Sequence, residues 1–397
     1  MSSLRLPDGY FLIAVGKAAY AMTQGLLAAG SQPTGGIIIA PRKHNIFTST
    51  TTFEEMIAAH PIPNNDSFRA GNSVLEKVRA KQTSDNFLVL ISGGASALMS
   101  FPIDGISCET KRQVHESLIS SGFQIGDINT VRRHISSIKG GAALREILHN
   151  DGNATTLALS DVPHDLPHDI GSGPFTADPT TFSDALAIAS RIGNFPREAL
   201  LFLEKGDAGV VRETLKPHDV PKGKSNFRVI LGTTGASEKI AGIFRAEGAE
   251  AEISVFPHCT NPGQASDFFV ETACKTHKPD IWIISVGEAE VSIKPGTHIG
   301  KGGRAATLLL ETARKFHRQA IDFEICVLAT DGSDGNSGLA GGFLSSEDMN
   351  SKTIGEIDAA LKDFNSAGFL ERIGRSFPGS PTGTNFGDAV IMRVRKP

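Results

Sequence analysis

Lysine, arginine, serine and carboxylate side chains recur beside glycines along this 397-residue chain, each where an apolar run stops. Lys17 stands in Gly16-Lys17-Ala18-Ala19, and Ser92-Gly93-Gly94-Ala95-Ser96 closes the run Phe87–Ile91. Lys139 precedes Gly140-Gly141, Asp161 follows Thr156–Ser160, and Glu288 follows Gly287. Arg304 ends Gly302-Gly303-Arg304, Asp331 opens Asp331-Gly332-Ser333-Asp334-Gly335, and Asn385 lies in Gly383-Thr384-Asn385-Phe386-Gly387. Phosphoryl transfer draws on this mixture. Cations and N–H donors neutralise phosphoryl oxygens, while carboxylates hold magnesium or orient the attacking hydroxyl. Singly, each motif reads equally well as a turn: a solvated lysine at a helix start, a capping or Asx-turn aspartate, a glycine with purely structural duties. Only their sum points to chemistry.

Such residues need strand ends to hold them. Phe87-Leu88-Val89-Leu90-Ile91 has the unbroken apolar character of a strand buried on both faces. Its Ser-Gly-Gly turn would then sit where open α/β sheets bind ligands, outside the carboxyl ends of the strands. Phe11–Val15 and Gly36–Ala40 repeat that character. The pair Gly140-Gly141 would weaken a helix, so the backbone is expected to approach something there. After Lys216–Asn226, a run of linker composition, alternation resumes with Phe227–Gly232, Ala251–Phe256, Ile281–Val286 and Ile325–Ala329, with an exposed strand expected at 290–294. The expected fold is therefore α/β in two domains, residues 1–221 and 222–397. The first would be a Rossmann-like three-layer parallel sheet and the second a smaller mixed α/β domain.

Composition narrows the partners. Hydrophobic residues make up 40% and charged residues 21%, with a formal net charge of -4, giving no basic field for nucleic acid or anionic lipid. No apolar run approaches the roughly 20 residues that span a bilayer, and the amino terminus lacks a signal-peptide pattern, so a cytoplasmic location is expected. Cys108, Cys259, Cys274 and Cys326 are scattered, without zinc or disulfide spacing. GxSxG and HExxH are absent, which lowers hydrolase readings.

Taken in order, the segments VGKAA, HPIPNNDS, LISGGASAL, INTVRRHISSIKGGAAL, ALSDVPHD, SGPFTADPTTF, SVGE, GKGGR, TDGSDG and PTGTNFGD resemble the glycerate 2-kinase family, whose second domain is of the kind called MOFRL. The resemblance implies ATP-dependent transfer to the 2-hydroxyl of D-glycerate or a closely related sugar acid, with Mg2+, in a cleft between the two domains. It implies catalytic roles for Lys17 and Arg304. Substrate or phosphate contacts are expected from Ser92, Gly93, Gly94, Ser96, Lys139, Glu288 and Asn385, and metal contacts from Asp161 and Asp331. The implied partners are ATP and the acid, and a homodimer is left open. Two departures stand out: Arg304 is followed by Ala305-Ala306-Thr307 where the family commonly has Asn-Gln-Glu, and Asn336 replaces a further aspartate. The alternatives are an NAD(P)H-dependent hydroxypyruvate reductase, against which no strand is followed by GxGxxG, and a non-catalytic phosphometabolite-binding protein.

Overall fold

A computed structural model describes residues 9–43, 53–80, 85–162, 165–257, 261–289, 291 and 299–396. The strand expected at 290–294 lies outside the described residues except for Val291, and Cys259 lies outside them too. The chain divides into two compact units, Met1–Ile230 and Leu231–Pro397.

The first unit runs β1 (Tyr10–Val15), α1 (Ala19–Ala28), β2 (Gly35–Ala40), β3 (Phe53–Ile57), α2 (Asn65–Ala80), β4 (Asn86–Ile91), α3 (Ala95–Leu98), α4 (Cys108–Ser120), α5 (Ile125–His134), α6 (Ala142–His149), β5 (Asn153–Leu159), α7 (Phe182–Ala189), α8 (Arg197–Asp207) and β6 (Ser225–Leu231). Its sheet has the order β3-β2-β1-β4-β5-β6. The β3–β2, β2–β1, β1–β4 and β4–β5 pairs are all parallel. That is the doubly wound order, and the direction of winding reverses between β1 and β4. Side chains alternate between two cores. Ile13, Val15, Val89 and Ile91 pack with α2 and α6 on one face, and Leu12, Ala14, Leu88 and Leu90 pack with α1 on the other. Both cores form because Leu12–Val15, Ile37–Ala40 and Phe87–Ile91 are apolar at every position, and each fully buried aliphatic side chain contributes roughly 1.5–3 kcal/mol. A third cluster is built by α4, α5, α7, α8 and the turns beside them, with no strand among them.

Two readings need correction. The buried strand Phe87–Ile91 is the fourth strand, because Phe53-Glu54-Glu55-Met56-Ile57 forms an edge strand that its charges conceal. Those charges are used: Glu54 accepts from Ser73 and pairs with Lys77 of α2 at 2.8 Å, while Glu55 accepts from the Tyr20 hydroxyl of α1 at 2.6 Å. Phe227–Leu231 opens no second domain; it completes the first sheet, with Phe227 and Val229 packed on the first core. The division therefore falls at 230/231, nine residues beyond the expected 221/222.

The second unit comprises α9 (Thr233–Ala246), β7 (Ala251–Ile253), α10 (Pro262–Lys275), β8 (Asp280–Gly287), α11 (Arg304–Arg318), β9 (Asp322–Ala329), β10 (Leu339–Ser345), α12 (Ser351–Lys362), α13 (Ser366–Arg372), β11 (Ser376–Pro378) and β12 (Asp388–Arg395). Its sheet, β11-β10-β9-β12-β8-β7, is mixed as expected: β7–β8 is parallel and the other pairs are antiparallel. The apolar stripe of α11, including Leu308, Leu309, Ala313 and Phe316, packs on the face that carries Ile281, Ile325, Val390 and Met392. On the other face α9 covers Ile284.

Candidate active site

In the first unit the winding reverses where Lys17 and Ser92-Gly93-Gly94 leave β1 and β4. Their loops are bonded to each other. The Lys17 N–H donates to the Gly93 carbonyl at 2.9 Å, the Ala18 N–H to Ser92 Oγ at 3.1 Å, and the Ser92 N–H to the Val15 carbonyl at 3.0 Å. Gly16 makes this closeness feasible: its φ is +126°, and a Cβ there would lie 2.1 Å from Ser92 Oγ. Ser92 is buried, and these bonds make it a latch between strand ends. Lys17 lies half-buried just before α1, not within its first turn. Gly94 has φ +86°, packs against His60 and precedes α3 as its amino-terminal cap position.

Ser96, one turn further on, meets Lys139. The Lys139 ammonium donates to both the carbonyl and the hydroxyl oxygen of Ser96, at 2.5 Å each, and Ser96 Oγ lies 2.9 Å from Ser172 Oγ. Gly140 and Gly141 take left-handed φ of +56° and +75°, and their backbone approaches Thr214, Leu215 and Thr176 of this same chain; no ligand is needed to account for the pair. Lys139 and Ser96 line a pocket together with Lys111, His115, Arg132, Pro63, Ser100, Val114 and Ile135. Burial and the nearby Arg132 and Lys111 charges hold the Lys139 ammonium well below the ordinary lysine value. Burial, with Arg132 adding to it, lowers Lys111 to about 7. His115 falls to about 3, again chiefly by burial, and its Nδ1 accepts from the Arg132 guanidinium. Sequence reading missed Lys111 and His115, although a signal was present. They stand four apart on the same stripe of α4 as Val114 and Leu118, polar groups where the periodicity calls for apolar residues.

Asp161 lies half-buried just past β5. Next to the basic pocket's helices, Arg133 bonds Asp169 and Asp178 and His134 bonds Glu213, tying α5 to the loops around α7.

In the second unit, Arg304 is the first residue of α11 and is held by two carboxylates. Its Nη1 pairs with Glu288 at the end of β8, and its Nη2 lies 3.7 Å from the buried Asp388 at the start of β12. A guanidinium has five donors in a fixed fork, so this pairing aims the group and leaves N–H groups for a phosphoryl oxygen. Sequence reading named Asp388 only as the end of a motif. Asp334 caps α11: its two carboxylate oxygens accept from the Ala305 and Ala306 N–H groups at 2.9 Å each. Burial raises its carboxyl, opposed by those same N–H groups. Asn336 bridges the two glycine loops, accepting from the Gly302 N–H and donating to the Gly300 carbonyl; an aspartate could not make the second bond. Asp331 accepts from the Ser333 N–H at 3.0 Å, an Asx turn, and Asn385 is buried before β12. No group of three or more His, Cys, Asp or Glu able to hold a metal occurs among the described residues. Magnesium, however, is usually held by only one or two carboxylates plus phosphates and waters, a donor set that Asp161 or Asp331 fits.

Residues 2–203 match the family described as a domain of unknown function, DUF4147, and residues 281–388 match the MOFRL family. A glycerate 2-kinase of Pyrococcus horikoshii is 32% identical over 97% of this chain and 87% of its own. The chain belongs to the glycerate 2-kinase family. It is an enzyme of the kinase class. A crystal structure of glycerate kinase from Thermotoga maritima superposes with a TM-score of 0.80 at 28% identity, covering 98% of this chain and 92% of that one. A protein of Agrobacterium vitis with the provisional name hydroxypyruvate reductase is 31% identical over 95% of this chain and 85% of its own. Against the family pattern, the Ala305-Ala306 departure has a structural counterpart: both side chains are fully buried in the second core, where polar residues would be desolvated. No helix of the described residues is long and apolar enough to cross a membrane.

Proposed function

We propose that this chain transfers the γ-phosphoryl group of ATP to the 2-hydroxyl of D-glycerate or a closely related sugar acid, giving the 2-phospho acid, as a magnesium-dependent cytoplasmic enzyme. The observation that carries this reading is the pairing of the Lys17 and Gly93-Gly94 turns at the reversal of winding between β1 and β4, within a chain similar to glycerate 2-kinases over nearly its whole length. In this reading Lys17 brings a cation to the transferring phosphoryl group, and Arg304, oriented by Glu288 and Asp388, brings a second. Asp161 and Asp331 are the carboxylates that would hold magnesium, whose role when bound is to neutralise phosphate charge.

An ADP-release assay over a panel of 2-hydroxy acids, with product identification, tests the reading; no turnover with any of them rejects it. Lys17→Ala and Arg304→Ala should each lower kcat by about 10²-fold or more, as loss of a charge-stabilising donor does, with little change in unfolding midpoint. Near-normal rates in both would remove these residues from the mechanism. The second reading, a nicotinamide-dependent reductase, rests on the name of the Agrobacterium vitis protein. NADH oxidation with hydroxypyruvate, present while ADP release is absent, would favour it.

A further inference from the structure

The basic pocket of the first unit gathers Lys111 and His115 from α4, Arg132 from α5, Lys139 from the turn that follows α5, and Ser96 from α3. Lys111 and Lys139 are 5% and 2% exposed, and no acid is among the described residues that line the pocket. The Lys111 ammonium donates to the Ile135 carbonyl at 3.0 Å, and that of Lys139 to Ser96. Dipoles therefore hold these cations, and no carboxylate in the lining balances them. Buried cations are ordinarily paired, because desolvating an unpaired charge is costly. Elsewhere the same chain follows that rule: the fully buried Arg133 has Asp169 and Asp178. A fold that gathers three cations around a cavity without an acid has left that charge for a ligand.

We propose that this pocket is the seat of the acceptor's carboxylate, which Arg132, Lys111 and Lys139 bind, with Ser96 holding the Lys139 ammonium in place. The inference rests on the reading of the chain as a kinase of hydroxy acids and names where the acid is held. Position favours the acid: Ser96 stands two residues beyond Gly94, and Pro63 three beyond His60, the residue packed on Gly94, so the pocket adjoins the turn after β4. The charged and titratable groups facing it are Lys111 and His115 of α4, Arg132 of α5 and Lys139, with the exposed Cys108 acting on Lys111 and the Pro61 carbonyl against His115. Because burial lowers Lys111 to about 7 and lowers Lys139 as well, seating an anion beside them favours their protonated forms and draws protons onto the site.

The test is calorimetry of the full-length protein at pH 8 in two buffers of different ionisation enthalpy, with D-glycerate, other 2-hydroxy acids, inorganic phosphate and ADP as separate probes. D-Glycerate, or another acid of the panel, is expected to bind with net proton uptake. Arg132→Gln and Lys111→Met should each weaken that binding roughly 10- to 100-fold and leave ADP within about threefold. Lys111→Met removes a buried charge, so its unfolding midpoint should hold or rise while affinity for the acid falls, a combination that a purely structural lysine would not give. Acid binding unchanged in both variants, or bound without proton uptake, overturns the proposal. A parallel loss of ADP, or phosphate competing with ADP and not with the acid, would assign the pocket to the nucleotide and overturn it too. ADP release with wild-type protein separates the two failures: turnover with an acid whose KM the variants leave unchanged sinks this assignment and spares the kinase reading. No acid bound and none turned over sinks both.

Discussion

Ser92 and Lys111 show how far a residue's chemistry depends on what already claims its polar atoms. In sequence Ser92 reads as a phosphate donor, whereas in the fold its Oγ accepts from the Ala18 N–H and faces the Val15 carbonyl. Ser92→Ala should therefore cost about 1–3 kcal/mol of stability, the usual consequence of orphaning a buried N–H, and change KM little. Urea denaturation alongside steady-state rates checks this, and a large kcat loss without destabilisation would restore the ligand role. Lys111 shows the opposite case, a cation kept where solvent cannot reach it. Its folded value of about 7 lies below the ordinary 10.5, so between these limits the unfolded chain binds more protons than the folded one, and stability rises with pH through that window. Below about pH 7 the lysine is charged in both states and the folded protein carries the full burial penalty. Denaturation at pH 7 and pH 9.5 should show a rise of a few kcal/mol at most from this group, and the rise should shrink in Lys111→Met. An identical pH dependence in the two proteins would argue that the ammonium is well solvated.

At the scale of elements, turns outside the regular structure set where functional groups point. α11 delivers Arg304 because Asp334, thirty residues away, takes the first N–H groups of the helix, and Gly303 leaves room: a Cβ there would meet Asp334 Oδ1 at 2.1 Å. Asp334→Ala should cost roughly 1–3 kcal/mol, combining a lost cap with two buried N–H groups left unpaired, and should lower kcat as Arg304 loses its anchor. Urea midpoints and initial rates on the same preparation check it; unchanged values for both would show that α11 needs no such cap. The sequence made the glycine turns legible, because only glycine tolerates these backbone angles and close approaches. It did not make their partners legible. Gly140-Gly141 reads as an approach to ligand, yet the neighbours are Leu215 and Thr176, some seventy and thirty-five residues on. α8 and the strand β10 also went unread, the second carrying Gly341-Gly342 in its interior.

For the molecule as a whole, apolar runs announced the central strands β1, β2, β4 and β5, and with them the parallel sheet. Edges were harder, since an edge strand is half solvated and its pattern dilutes: β3 carries Glu54 and Glu55, and β6 alternates half-buried and exposed positions along its length. Because β6 follows a stretch of linker composition, the sequence assigned it to the wrong unit, and the difference can be measured. A fragment ending at Pro221 lacks β6, which uncovers the hydrogen-bonding edge of β5 and removes Phe227 and Val229 from the first core. Losing two partly buried apolar side chains and a row of ladder bonds should cost several kcal/mol, a large share of the about 5–15 kcal/mol that stabilises a typical domain. An open β5 edge should also promote association. A fragment ending at Thr233 keeps both. The longer fragment is therefore expected to unfold in urea with a single far-ultraviolet transition and to remain monomeric in light scattering. The shorter one should show a lower midpoint and a concentration-dependent increase in size, and equal midpoints for the two would return the boundary to 221/222.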